Sequence, residues 1–185
     1  ALGLKSEGIR HSLTQFTSNP ECNPGRLNHY LIGGVHVFID YGHNAAGIKA
    51  IAQTMRKFKA PAVVGCVTVP GDRPDSAIRE AARVAAKGFH RLIIREDEDL
   101  RGRKPGEVAN LILEEAIAAG MDPRRISVVL PEREAFCHGL DTCKPGEIFV
   151  MFYEHLEPIE EEIALRMEGQ MSASEYLEAA NLGVY

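Results

Sequence analysis

From Pro61 onward the sequence alternates between short apolar runs and longer segments whose apolar residues recur at helical spacing, and this alternation leaves few folds open to the chain. Ala62 to Val67 is an unbroken apolar run between Pro61 and the turn residues Pro70, Gly71 and Asp72. Such a run predicts a strand buried on both faces. Pro74 to Lys87 sets Ile78, Ala81, Ala82 and Ala85 on one side of a helix that Gly88 stops. The rhythm then repeats: strand Leu92 to Ile94, helix Lys104 to Ala119 ending at Gly120, strand Ile126 to Leu130, helix Glu132 to Leu140, strand Ile148 to Phe152, and an acidic helix from His155 to about Met167. Upstream, Val35 to Asp40 predicts the first strand and Asn44 to Phe58 its helix, with Ile48, Ile51 and Met55 turned to the core. Strands and helices in this order require right-handed crossovers over a sheet covered on both faces. The predicted fold class is α/β: a three-layer Rossmann-like domain with a mostly parallel sheet of about six strands.

The first thirty residues stand outside this rhythm. Gly3 to Phe16 reads as one helix, and Ser18 to Gly25 is a dense cluster of turn residues that reads as an interdomain linker. The expected organisation is therefore the end of a preceding domain plus linker over 1–30, the Rossmann-like domain over 31–167 and a tail over 168–185. On this reading the chain is a piece of something larger. Composition agrees with a folded domain, at 45% apolar and 25% charged residues. No run of eighteen apolar residues exists to span a membrane, and Leu2 to Phe16 carries charges where a secretory signal needs an apolar segment. A formal charge of −5 argues against wrapping nucleic acid. The four cysteines make no CxxC pair and no zinc spacing, and Cys66 sits in an apolar run as a small hydrophobe, so a reducing, cytoplasmic setting is expected.

Ligands of an open parallel sheet bind at the carboxyl ends of its strands, and three polar segments fall there. Asp40-Tyr41-Gly42-His43-Asn44 follows the first strand: a carboxylate there can accept both ribose hydroxyls, with His43 and Asn44 beside a helix N-terminus that suits phosphate. Equally, Asp40 and Asn44 can form a turn and cap the helix. Asp72 and Arg73 follow the next strand, where Gly71 permits a tight turn and Arg73 projects at a helix start, or else Asp72 caps and Arg73 is solvated. Glu96-Asp97-Glu98-Asp99, then Arg101-Gly102-Arg103, follow the third of these strands; a charge run of this kind is by default a solvated surface. All three segments are expected to converge on one cleft. No GxxxxGK[ST] phosphate loop and no GxGxxG after the first strand occur.

Asn23-Pro24-Gly25-Arg26 resembles the linker motif that precedes the C-terminal domain of the Mur ligase superfamily. Asp40 to Asn44 resembles the signature on that domain's first strand, with Gly42 in place of the usual Ala and Ala45 of the usual Pro. Pro70-Gly71-Asp72-Arg73 and Asp97 to Arg103 are similar to segments of the cyanophycin synthetases within that superfamily. The resemblance implies an ATP-dependent amide ligase that activates a carboxylate as an acyl phosphate and joins an amino acid, here arginine onto a polyaspartate backbone. It implies that Arg26 reaches nucleotide phosphates, Asp40 holds ribose, and His43 and Asn44 line the adenosine side. It further implies that Asp72, Arg73 and the loop Asp99, Arg101, Gly102 and Arg103 face the incoming amino acid. ATP and Mg2+ would be held mainly by a central ATPase domain of the same polypeptide, which leaves no catalytic residue and no metal ligand in these residues and leaves homo-oligomer formation open. The rival expectation is a stand-alone, non-catalytic module that binds a nucleotide or small anion.

Overall fold

The computed structural model describes residues 6–7 and 21–181, with side chains described through residue 169. The helix expected over Gly3 to Phe16 lies outside the described residues, save Ser6 and Glu7, which are helical. Six strands, β1 (Arg26–Ile32), β2 (Val35–Asp40), β3 (Val63–Val67), β4 (Arg91–Ile94), β5 (Ile126–Val128) and β6 (Ile148–Phe152), form one sheet in the order β1-β2-β6-β3-β4-β5. β1 runs antiparallel to β2, and every other neighbouring pair is parallel. The helices are α1 (Ala45–Met55), α2 (Asp75–Gly88), α3 (Glu107–Ala118), α4 (Glu132–Thr142) and α5 (Leu156–Asn181).

Successive residues of a strand point to opposite faces, so a strand that is apolar throughout feeds two cores. Val63 and Val67 of β3 pack with Ile51, Ala81 and Ile112 of α1, α2 and α3 on one face. Val64 and Cys66 of the same strand pack with Phe136 of α4 and Ile159 of α5 on the other. These two cores make the three-layer α/β domain that the alternation predicts. β6 lies between β2 and β3, so the chain passes over one face on leaving β2 and returns over the other to enter β6. That reversal of winding opens a crevice at the carboxyl ends of β2, β6 and β3.

The sixth strand is β1, which lies where the sequence predicts a linker, so the boundary expected at residue 30 falls inside the sheet. Its period of two is masked because Asn28, a polar residue, is fully buried beside Tyr30 and Ile32. The legible signal was Gly33-Gly34 between two alternating runs. Both glycines have positive φ, +57 and +79, as a tight hairpin turn with the strands' own twist requires. α5 continues to Asn181, past the helix end expected near Met167 and through most of the expected tail, because no proline interrupts that segment. β5 stops at Val128 rather than Leu130; it is the sheet edge, and Val128 is exposed.

Candidate functional site

At the carboxyl end of β2, Arg26 pairs with Asp40 and Asn28 with Ile39, leaving Leu27 bulged from the ladder at a φ of +51. The bulge aims the Leu27 N–H at Asp40 Oδ2, 3.0 Å away, while Gly42 N–H donates to Asp40 Oδ1 at 2.7 Å. Burial raises the Asp40 carboxyl above the ordinary carboxylate range, although these two bonds and the Arg26 charge pull the other way. The turn before β1 wraps the Asn28 amide: Oδ1 accepts from Gly25 N–H at 2.6 Å and Nδ2 donates to Asn23 O at 3.0 Å. That turn brings the Arg26 guanidinium to 5.1 Å from the centroid of the Tyr41 ring. Asn44 is the N-cap of α1, its Oδ1 accepting from Gly47 N–H at 2.9 Å. His43 Nδ1 lies 2.9 Å from Tyr41 O. A carbonyl can only accept, so Nδ1 carries a proton, and in the neutral imidazole Nε2 is the acceptor. Of the two readings of this segment, the turn and cap bonds are all made, and each Asp40 oxygen keeps acceptor capacity beyond its one backbone bond.

The loops after β3 and β4 are fastened to each other. A Cβ on Gly71 would stand 2.3 Å from Leu100 O, so only glycine lets the two backbones approach this closely. Arg103 completes the joint: Nε donates to Gly71 O at 2.9 Å, Nη2 to Arg73 O at 2.8 Å and Asp75 at 2.7 Å, and Nη1 to Glu107 at 2.8 Å. These bonds use the fork that the sequence reading assigned to an incoming amino acid, and they make Arg103 the clasp of the two loops. Arg101 is engaged more lightly, donating through Nη1 to Asp72 Oδ2 at 3.1 Å. Its own φ of +47 and that of Gly102 at +88 form the turn that holds Arg101 out beside Asp72, while the Asp99 carboxylate accepts from its backbone N–H at 2.9 Å. Arg73 is exposed, with Nε 3.7 Å from Asp72 Oδ1.

The acidic run is a solvated surface only in its second half, Glu98 and Asp99, which are exposed. Glu96 and Asp97 are buried. Glu96 caps α3, accepting from Gly106 N–H at 2.7 Å and Ala109 N–H at 3.0 Å. The partner of Asp97 is Arg95, a residue the sequence reading passed over. Arg95 is fully buried and donates to Phe152 O from Nε and Nη2 at 3.1 and 2.9 Å, to Glu96 O and Asp97 Oδ1 each at 3.1 Å, with Glu132 at 3.0 Å. It thereby joins the ends of β4 and β6 and the start of α4 under the loop. The signal was available in Leu92-Ile93-Ile94-Arg95: a cation abutting a buried strand and followed by carboxylates is placed to be enclosed with them. Burial also raises the Asp97 and Glu154 carboxyls above their usual range. Cys66, wholly buried, has its thiol pushed up to about 12 by burial and is no nucleophile at neutral pH.

These loops meet around a cleft of about 190 Å³. It is lined by His43 from the loop after β2, Thr68 and Arg73 after β3, Asp97 and Arg101 after β4, and Glu154 after β6. Asp97 and Glu154 also border a larger cavity of about 870 Å³ that carries Glu98 and Glu157. Four of the residues singled out from the sequence, His43, Arg73, Arg101 and Asp72 through its bond to Arg101, thus come together. Arg26 and Asp40 stand behind the Tyr41 wall, Asn44 turns into its helix, and Arg103 lies beneath the loops.

Residues 25–152 match the family model described as Mur ligase, glutamate ligase domain. The chain belongs to the Mur ligase family. The match begins at Gly25, so β1 belongs to this Mur ligase domain with the rest of the sheet. Among curated relatives, the chain is 36% identical over 152 residues to cyanophycin synthetase of Crocosphaera subtropica, an alignment that covers 82% of this chain and 17% of the relative. The chain therefore spans less than a fifth of the length of that protein. A solved UDP-N-acetylmuramoyl-L-alanyl-D-glutamate–2,6-diaminopimelate ligase has the same fold, with a TM-score of 0.61 at 16% identity over 88% of this chain and 37% of that one. E. coli FolC in complex with ADP gives a TM-score of 0.61 at 15% identity over 93% of this chain and 37% of that one.

Proposed function

We propose that this Mur ligase domain is the closing, amino-acid-selecting part of an ATP-dependent amide ligase, acting against a central ATPase domain of the same polypeptide. The observation that carries the reading is the cleft lined by two cations, Arg73 and Arg101, and two anions, Asp97 and Glu154. Cations and anions together on the wall of so small a space suit a zwitterion, the carboxylate toward the guanidiniums and the ammonium toward the carboxylates. The adjoining acidic cavity, with Glu98 and Glu157 on its wall, suits a guanidinium or amine side chain and supports arginine as the amino acid joined. ATP would be met from the Asp40 side, where acceptor capacity on Asp40 and His43 Nε2 fits ribose and adenine donors and Arg26 lies within reach as a cation for phosphate. ATP supplies the phosphoryl group that turns a carboxylate into an electrophile. What these residues contribute is orientation of the amine and exclusion of water from the activated acyl group. On this reading Mg2+ is held by the central domain.

In the complete polypeptide, Arg101→Lys is expected to raise the Michaelis constant for arginine roughly 10-fold or more, since an ammonium cannot reproduce the two-point fork on a carboxylate. The constant for ATP should hardly move. Steady-state kinetics with arginine varied at saturating ATP decides this, and an unchanged arginine dependence would return Arg101 to the surface. The 185-residue chain alone is expected to release no phosphate from ATP in an amino-acid-dependent way. Such release, measured with the purified chain and arginine, would overturn the division of labour between the two domains.

A further inference from the structure

Thr68 stands one residue beyond β3 and lines the cleft together with Arg73, Arg101, Asp97 and Glu154. It is 3% exposed, and its Oγ1 makes no hydrogen bond, the one buried side-chain nitrogen or oxygen among the described residues of which this is true. An unsatisfied buried hydroxyl is a standing cost, and one that borders a cleft is met when a bound group supplies its partner. The neighbours of Thr68 could have done without the hydroxyl, because Val67 and Val69 on either side are buried apolar residues and valine has the same shape as threonine. The backbone around it is already held, with Arg95 N–H donating to Val67 O at 3.1 Å. A hydroxyl kept at this one position, where the apolar strand opens into a cleft lined by charge, is placed to meet whatever occupies the cleft.

We infer that the Thr68 hydroxyl is a binding group of this cleft, donating its hydrogen bond to the carboxylate of the amino acid held there. The inference rests on the ligase reading above. Its direction follows from the loop: Thr68 and Arg73 belong to the same segment after β3 and both line the cleft, and Arg101 is bound to Asp72 of that segment. A donor hydroxyl beside two guanidiniums completes a set that recognises an anion. The ammonium end is left to Asp97 and Glu154.

Thr68→Val in the complete polypeptide tests it, with Thr68→Ser as the variant that restores a hydroxyl. The Michaelis constant for arginine should rise roughly 10- to 100-fold in Thr68→Val, the usual worth of a hydrogen bond to a charged group. The constant for ATP should stay put, Thr68→Ser should recover most of the loss, and the melting temperature of Thr68→Val should be equal to or above that of the natural protein. Agmatine keeps the amine and guanidinium of arginine but lacks its carboxylate, so its inhibition constant should be the same in Thr68→Val and the natural protein. An unchanged arginine constant in Thr68→Val overturns the assignment. An equal loss of agmatine affinity also overturns it, since the contact would not be to a carboxylate. If the natural protein shows no amino-acid-dependent ADP release with arginine, lysine or ornithine, the ligase reading fails and this inference falls with it. Turnover by the natural protein with identical behaviour of Thr68→Val fails the inference alone.

Discussion

Arg95→Ala is expected to destabilise the domain by about 3–5 kcal/mol, the range for removing one partner of a buried ion pair. The substitution removes a guanidinium that is wholly enclosed and leaves Asp97, Glu132 and the Phe152 carbonyl facing one another without it. Asp97 is already held toward its neutral form by burial, with Arg95 opposing that shift, so the loss drives its carboxyl further up. Two effects should therefore appear together in the variant. Urea unfolding should show the lower stability, and hydrogen exchange should show early opening at the ends of β4 and β6 and at the start of α4, the three places that Arg95 joins. Arg95→Met, close in size and without charge, should not rescue, because the carboxylates remain. A midpoint within about 0.5 kcal/mol of the natural domain, the range of ordinary surface substitutions, would show that the buried arginine does not organise the loops.

Asp40→Ala is expected to act on nucleotide and on structure at once. Leu27 N–H and Gly42 N–H, both part-buried, lose their acceptor, at a cost toward the lower end of the about 1–3 kcal/mol of an orphaned buried donor. Because Leu27 is bulged at positive φ, the bond to Asp40 is what holds the bulge in place, and its loss should loosen Arg26 from its position over Tyr41. In the complete polypeptide the Michaelis constant for ATP should rise roughly 10-fold or more through loss of the charge-assisted contact. Asp40→Asn separates the two roles, since it restores one acceptor but sets an amide N–H against a backbone N–H. Normal ATP kinetics in both variants, with a lowered melting temperature, would confine Asp40 to its turn.

Much of this was legible in the residues themselves. The apolar runs of β3, β4 and β6 and the helical spacing of Ile78, Ala81, Ala82 and Ala85 are consequences of burial on both sheet faces, and burial leaves its mark directly on sequence. The same logic located the loops of the cleft, because parallel strands present their carboxyl ends together whatever the side chains. β1 was hidden because its inward face carries Asn28, whose amide satisfies a turn in place of filling the core. The fates of the charged residues were hidden for another reason. Arg101 and Arg103 are two positions apart and alike in type, yet the first stands at the rim while the second clasps Gly71, Arg73, Asp75 and Glu107. Glu96 and Asp97 are adjacent acids, one capping α3 and the other paired with Arg95. Composition cannot separate such neighbours, because a charge is solvated or enclosed according to what other segments bring to it. For Arg101 and Arg103 the deciding segment is the loop from Gly71 to Asp75, about thirty residues away, which the packing of β3 beside β4 brings into contact; for Arg95 it is the carbonyl end of β6.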